Sequence, residues 1–385
     1  MPEIKKVGIV AMGNISVGGG YPRVVYDLIT VLNEMGKEVY LLSPFNPNYK
    51  KIEELYGQIK IKKVYPLSKI KSLFAVEDTI RRKLLKNNFK KMAKEVDFIF
   101  DICGRVMDKY LPKSFDKNNY VVWALTSMDR GEWKKFNNLS RNIKEIIQMS
   151  LTSEKFLPGK DVRIYAFDQW TRNNLINKSY LNPEEQCLYP AIQTEHFLNK
   201  GNKKKNQIVV SGRINPIKRI EDSINIFYGG TKNNPEYNLV IIGGMTPESE
   251  TYIKYLNEIT EKLNIQDRVK IIKDPSFDKI KEELLNSKIL IDSERDVNLT
   301  MTSIEAMAAG NIILGYKKSN NYQEILGEGK YGYGFLSVEE GAEVLRKILK
   351  KIDSKECNNF SSIERSKFFS RDKFAERVKE IIEKH

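Results

Sequence analysis

Residues 207–244 read "QIVVSGRINPIKRIEDSINIFYGGTKNNPEYNLVIIGG", and this stretch decides the fold. Its two ends, "QIVVSG" and "NLVIIGG", are short runs that are apolar on both faces, and the segment between them is long enough for a helix. A strand apolar on both faces is one covered on both sides, as parallel strands are once helices cross over them. The same alternation runs along most of the chain. Strands are expected at 6–12, 38–43, 97–102, 120–125 and 162–167, then again at 207–212, 238–244, 269–274, 288–293 and 311–316. Two successive sets predict an α/β protein made of two doubly wound domains. A chain of 385 residues also exceeds what one hydrophobic core usually serves. The seam is expected in "LYPAIQTEHFLNKGNKKKNQ", residues 188–207, where a proline, a glycine and a lysine cluster precede a fresh strand. In such a fold a ligand sits at the carboxyl ends of the strands, so the segments just after strands matter most.

Composition narrows the class. The cysteines, Cys103, Cys187 and Cys357, are three and widely spaced, which argues against a disulfide framework or a zinc site and for a reducing compartment. The opening "MPEIKKVGIVAMG" does not read as a secretory signal, and no apolar run reaches the roughly 20 residues of a spanning helix. A soluble cytoplasmic protein is expected, or one resting on a membrane face. The net charge of +14 is uneven: residues 1–200 hold 33 Lys and Arg against 22 Asp and Glu, a net +11, and the remainder holds +3. The excess is densest in "TIRRKLLKNNFKKMAKEV", residues 79–96, where Ile80, Leu84, Leu85, Phe89 and Met92 share one helical face. Its lysines are either a solvated surface or a contact for anionic lipid or a phosphate-bearing partner. No recognisable nucleic-acid module accompanies the charge, so nucleic acid is not expected.

Four strand-end segments carry the chemistry. Gly18, Gly19 and Gly20 follow the first strand and lead into a helix, a place where the backbone can approach an anion or simply turn tightly. Their spacing fits neither nucleotide fingerprint. Arg213 and Lys218 follow the strand at 207–212. One offers a fork of donors and the other a point charge, which suits a diphosphate, although both are also ordinary surface residues in a basic protein, and Arg219 is a substitute for either. Gly243 and Gly244 end the next strand, leaving room for a ligand or for a neighbouring loop. In "TMTSIEAMAAGNIIL", residues 300–314, Thr302 and Glu305 have capping-box spacing, with Thr302 as N-cap and Glu305 reaching back. The alternative places Glu305 against a sugar's vicinal hydroxyls and Thr300 to Ser303 against phosphate.

Taken in order, "GGGYPRVVYDLITVLNEMGKEVYLL", "VVSGRINPIKRIEDSINIF", "LVIIGG" and "MTSIEAMAAGNIIL" resemble glycosyltransferase family 4, a group of retaining, nucleotide-sugar-dependent enzymes with the GT-B fold. The likeness covers nearly the whole chain. "EEQCLYPAIQTEHF" resembles the family's interdomain stretch, and "FFSRDKFAERVKEIIEKH" the final helix that crosses back to the first domain. The resemblance implies a first, acceptor-side domain of residues 1–190 with 368–385, and a nucleotide-sugar domain of 191–367, facing each other across a cleft. It implies that Gly19 and Gly20 lie near the donor phosphates and sugar, with Gly243 also on the donor side. Arg213 and Lys218 would hold the diphosphate and offset charge on the leaving nucleotide. Glu305 would bind the ribose beside Thr300, Met301 and Thr302, and backbone near Ile272 and Lys273 would border the base. The implied donor is a nucleoside-diphosphate sugar such as a UDP sugar, used without a metal or other cofactor. The acceptor is a glycan, a lipid-linked glycan or a protein.

Two departures stand out. The family's first carboxylate would fall at Val297, with Asp296 and Glu294 close by, and "NLT" replaces the usual glycine-aromatic-glycine turn. Either Asp296 moves in to fill that role, or the sugar is held differently, or the sugar is an unusual one. The first domain also lacks the histidine many members place near the sugar, since the chain has only His196 and His385. Asp101, Thr126, Ser127 and Asp129 end first-domain strands and are candidates for the vacancy. The expected function is retaining sugar transfer. A sugar-nucleotide epimerase, a glycoside phosphorylase, or a nucleotide-binding module without catalysis is the alternative.

Overall fold

The computed structural model describes residues 3–11, 13–43, 46–66, 85–102, 107–125, 161–177, 181–198, 203–295, 299–356 and 360–384. The chain divides into two compact units. One comprises Met1–Ala191 with Phe374–His385, and the other Ile192–Lys373.

In the first unit β1 (Lys6–Val10), β2 (Glu38–Ser43), β3 (Lys63–Pro66), β4 (Phe98–Asp101), β5 (Tyr120–Ala124) and β6 (Arg163–Ala166) form one sheet in the order β3-β2-β1-β4-β5-β6. Every pairing is parallel, with Val7 opposite Val39 on one side and Phe98 on the other. Among its helices α1 (Gly20–Glu34) buries Val24, Val25, Leu28, Ile29, Val31 and Leu32. The segment α2 (Tyr49–Leu55) follows β2, and α3 (Gln169–Asn177) follows β6.

The second unit repeats the plan. Its strands β7 (Gln207–Ser211), β8 (Asn238–Gly243), β9 (Val269–Lys273), β10 (Ile289–Asp292), β11 (Ile312–Tyr316) and β12 (Tyr333–Phe335) run parallel in the order β12-β11-β10-β7-β8-β9. Helices α4 (Ile220–Gly230), α5 (Ser249–Lys262), α6 (Phe277–Asn286), α7 (Met301–Ala308), α8 (Val338–Asp353) and α9 (Phe360–Lys367) cover it. Its core joins Ile208, Ile224, Phe227, Leu239, Ile241, Ile289, Leu314 and Leu345. Each such fully buried side chain is worth roughly 1.5–3 kcal/mol over its exposed state.

The last helix, α10 (Arg371–Glu383), starts in the second unit and ends in the first. Phe374, Val378, Ile381 and Ile382 are buried, with the Phe374 ring 5.5 Å from Trp123. Arg163 closes the helix end by donating to the carbonyls of Ile381 and Lys384, both at 3.2 Å. In the basic segment 79–96, residues 79–84 lie outside the described residues. Of the rest, Leu85, Phe89 and Met92 are buried, and Met92 packs under Gly8. The described residues of that apolar face are therefore covered by the protein itself, and Asn87, Lys90, Lys91, Lys94 and Glu95 are exposed. Among the described residues no helix is long and apolar enough to cross a membrane.

Candidate functional site

Both sheets reverse their order of travel once, between β1 and β4 in the first unit and between β7 and β10 in the second. At such a switch point the two following connections leave on opposite faces, opening a crevice beyond the strands' carboxyl ends. In the second unit the segments beyond β7 and β10 bring together Lys218, Glu294 and Thr300.

Lys218 ends a short turn, Pro216–Lys218, whose backbone is closed by the Lys218 N–H to Asn215 carbonyl bond of 3.1 Å. Its ammonium donates to Oε2 of Glu294, which also accepts from the Thr300 hydroxyl at 3.2 Å. Glu294 is only 3 % exposed. Burial raises its carboxyl above the ordinary range, the Lys218 cation opposes that, and neighbouring Asp292 adds to it. The Lys218 side chain lies across Gly212, where a β-carbon would stand 2.9 Å from Lys218 Cε. Gly212 also has φ of 142°, which an L side chain rarely adopts. Arg213 is exposed and has no ion-pair partner among the described residues. It is the open cation of the pair.

Arg219, the substitute for either, is already paired. It sits in the left-handed region at φ 49°, and its guanidinium is committed to Asp222 at 2.7 and 3.1 Å. Gly243, expected on the donor side, has a different reason to be small. A β-carbon there would lie 1.5 Å from the Gly212 carbonyl oxygen, so the β7 turn itself fills the space. Ile272 lies half-buried on edge strand β9, and Lys273 is paired with Glu250 at 3.1 Å.

The capping box at Thr302 is not found. The helix begins earlier, at Met301, with Thr300 as N-cap and no side-chain capping bond. The physical reason is competition for the polar atoms. Thr300 gives its hydroxyl to Glu294 and its N–H to Asn321 Oδ1 at 2.8 Å, Ser303 gives its hydroxyl to Asp292 at 2.8 Å, and Thr302 turns to the Ser211 carbonyl at 3.3 Å. Asn321 Nδ2 also donates to Asp292 Oδ2 at 2.8 Å, so a buried network fixes the start of α7. Met301 and Thr302 are half-buried there, and Glu305 is 9 % exposed in the second turn. Asn321 and Asp292 went unnoticed in the sequence because neither sits in a motif.

The first unit's glycine turn is built differently. Gly19 has φ of 144°, and its N–H donates to the Tyr56 hydroxyl at 3.0 Å, while that hydroxyl donates to the Val17 carbonyl at 2.9 Å. Tyr56 thus pins the loop and takes up the Gly19 donor. The N–H groups of α1 from Gly20 onward are those a helix start leaves open. Asp101, expected on the acceptor side, is fully buried instead. It accepts from the Tyr120 hydroxyl, which in turn accepts from the Met107 N–H at 2.7 Å. Its carboxylate holds a loop together. Thr126, Ser127, Asp129, Asp296 and Val297 lie outside the described residues. His196 is exposed, its ring edge-on to Phe277. A groove of about 450 Å³ near Lys330 and Lys351 opens at Ile312 and Tyr333, the amino ends of β11 and β12, and so lies at the wrong end of the sheet for this chemistry.

Residues 192–367 match the family model described as glycosyl transferases group 1. Over 195 residues the chain is 26% identical to the Homo sapiens GDP-Man:Man(3)GlcNAc(2)-PP-Dol alpha-1,2-mannosyltransferase, an alignment covering 47% of this chain and 39% of the human protein. The chain thus spans well under half the length of that relative. Among solved structures it is similar to Anabaena Alr3699/HepE, solved in complex with UDP, with a TM-score of 0.74 at 12% identity over 99% of this chain and 100% of the other. A glycosyltransferase from Rickettsia africae ESF-5 gives the same TM-score, 0.74 at 12% identity, over 100% and 99% of the two chains. The two Rossmann-type units therefore have the GT-B fold, and residues 192–367 of the second are similar to the glycosyl transferases group 1 family.

Proposed function

We propose that this chain transfers a sugar from a nucleoside-diphosphate sugar to an acceptor, with retention at the sugar carbon. The observation that carries the reading is a pair of cations just beyond β7 at the switch point of the second sheet, exposed Arg213 and, lying across the preceding Gly212, the anchored Lys218. When the bond between sugar and phosphate breaks, positive charge develops on the sugar and negative charge on the diphosphate. Fixed cations aimed at the phosphates stabilise that state, Arg213 through a fork of donors and Lys218 as a point charge. They supply the charge without a metal. Glu305 is in this reading the acceptor for the ribose hydroxyls, and strand β9 around Ile272 borders the base. Retention follows if the acceptor attacks from the face the phosphate leaves, the leaving phosphate taking the proton. Glu294 is too deeply buried to meet the sugar, so Asp296 remains the proposed partner there.

The first unit is the proposed acceptor side. Exposed Lys90, Lys91 and Lys94, with Lys86 and Lys109 about 5 Å from the Tyr110 ring, suit an anionic acceptor such as a phosphate-linked glycan, presented at a membrane face. The human relative's name carries a PP-Dol-linked acceptor, which supports that choice. The scattered cysteines fit a cytoplasmic setting.

The test is incubation of the purified protein with UDP and GDP sugars while free nucleoside diphosphate is followed. Slow release that quickens on adding a glycan acceptor supports transfer. Interconversion of the sugar without release would indicate an epimerase, and binding without either would indicate a module.

A further inference from the structure

We propose that Glu294 is a positioning residue, one that acts on the donor only through Lys218 by holding its ammonium in place before the donor arrives. This rests on the nucleotide-sugar reading above and names a residue that reading does not require.

The geometry of Glu294 points one way. With 3 % of its surface exposed, the carboxylate has no open path to a ligand in water. Its Oε2 is occupied by the Lys218 ammonium and the Thr300 hydroxyl, and its own N–H is tied to Asp292 Oδ1 at 3.2 Å. Asp292 is held in turn by Ser303 and Asn321. The anchor is therefore braced by β10, by the start of α7 and by Asn321. Lys218 is braced from the other direction by its backbone turn and by Gly212, whose missing side chain makes room for the lysine stem. Its side chain keeps 15 % of its surface exposed. An ammonium carries three donors, and the Glu294 bond uses one, leaving the others for phosphate oxygens.

The inference can be separated from a plain charge effect. A lysine fixed in one rotamer spares the donor the ordering cost a free one would impose. Removing the Glu294 charge also removes repulsion from the diphosphate, which works in the opposite direction. Two substitutions divide these terms. Glu294→Gln deletes the charge but keeps an oxygen for the ammonium. Glu294→Met deletes the charge, fills the same space and offers no such acceptor.

The experiment is a binding titration with UDP-glucose and GDP-mannose on the full chain. It compares wild type, Glu294→Gln, Glu294→Met, Lys218→Met and the two double variants. Glu294→Met is expected to bind the preferred donor on the order of tenfold more weakly than Glu294→Gln, and that gap is expected to close in the Lys218→Met background. Equal affinity of the two Glu294 variants overturns the proposal. So does a gap that persists without Lys218, since Glu294 would then act on the ligand or the fold directly. Should Glu294→Met fail to give a cooperative melt, Glu294→Ala takes its place in the cycle. Wild-type protein that binds neither donor sinks the nucleotide-sugar reading itself, and the proposal with it.

Discussion

The two units place glycine-bearing turns at equivalent points, after the first strand of each sheet, and use them in opposite ways. In the first unit the turn is open: a β-carbon at Gly18 would meet nothing within 4 Å, and one at Gly19 only Pro22 at 3.7 Å. In the second the turn is dense and charged. Gly243 faces the Gly212 carbonyl, Gly212 faces Lys218, and Lys218 faces Glu294. A glycine at a strand end is therefore not one signal. In one unit it leaves backbone exposed, and in the other it packs main chain against main chain so that a cation can be aimed.

The largest effect that would sharpen this contrast is on stability. Gly243→Ala puts a carbon into the Gly212 carbonyl, and because both partners are main chain the strain has no cheap outlet. A loss of about 3–5 kcal/mol is expected in urea unfolding of the second unit. A tolerant Gly243→Ala would mean the turn is looser than described.

Charge inside the second unit gives the next handle. Lys204 donates to the carbonyl of Ser287 at 2.7 Å and to Asn311 Oδ1 at 3.0 Å, and burial pulls its ammonium down to about 8. A lysine that resists charging in the folded state costs stability wherever the unfolded chain would hold the proton. The wild type should therefore gain stability as pH rises from about 8 toward the ordinary value of 10.5, on the order of 3 kcal/mol in all. Unfolding measured at pH 7 and 10.5 should show that gain in wild type and not in Lys204→Met.

The smallest effect belongs to the open turn. Gly18→Ala should change stability by no more than about 0.5 kcal/mol, since nothing crowds the site. A thermal melt settles it, and a loss matching that of Gly243→Ala would erase the contrast between the turns.

Ten of the twelve described strands were legible in the sequence, the edge strands β6 and β9 among them. Burial on two faces writes a continuous apolar run, as in β7 and β8. The edge strands β3 and β12 were not legible. "KVYP" and "YGF" are four and three residues long, one ending on a proline and the other split by a glycine, so they leave no such run. The pair of cations was legible because Arg213 and Lys218 stand close together after a clear strand. Their surroundings were not. The Lys218–Glu294 contact joins residues 76 apart, and the Asn321 bond to Asp292 spans 29. Only the switch-point topology brings those segments together. The capping-box reading of Thr302 and Glu305, one of the two the spacing allowed, is not realised for the same reason, since partners from β10 and Asn321 draw the hydroxyls away and move the helix start.

In the proposed reaction Arg213 and Lys218 grip a nucleoside diphosphate. Calorimetric titration of UDP and GDP into wild type, Arg213→Ala and Lys218→Met tests it directly. One nucleotide is expected to bind wild type, and each variant to lose affinity by about 10- to 100-fold, the worth of a charge-assisted hydrogen bond. Undiminished affinity in both variants, with the protein still folded, would mean that the diphosphate is held elsewhere.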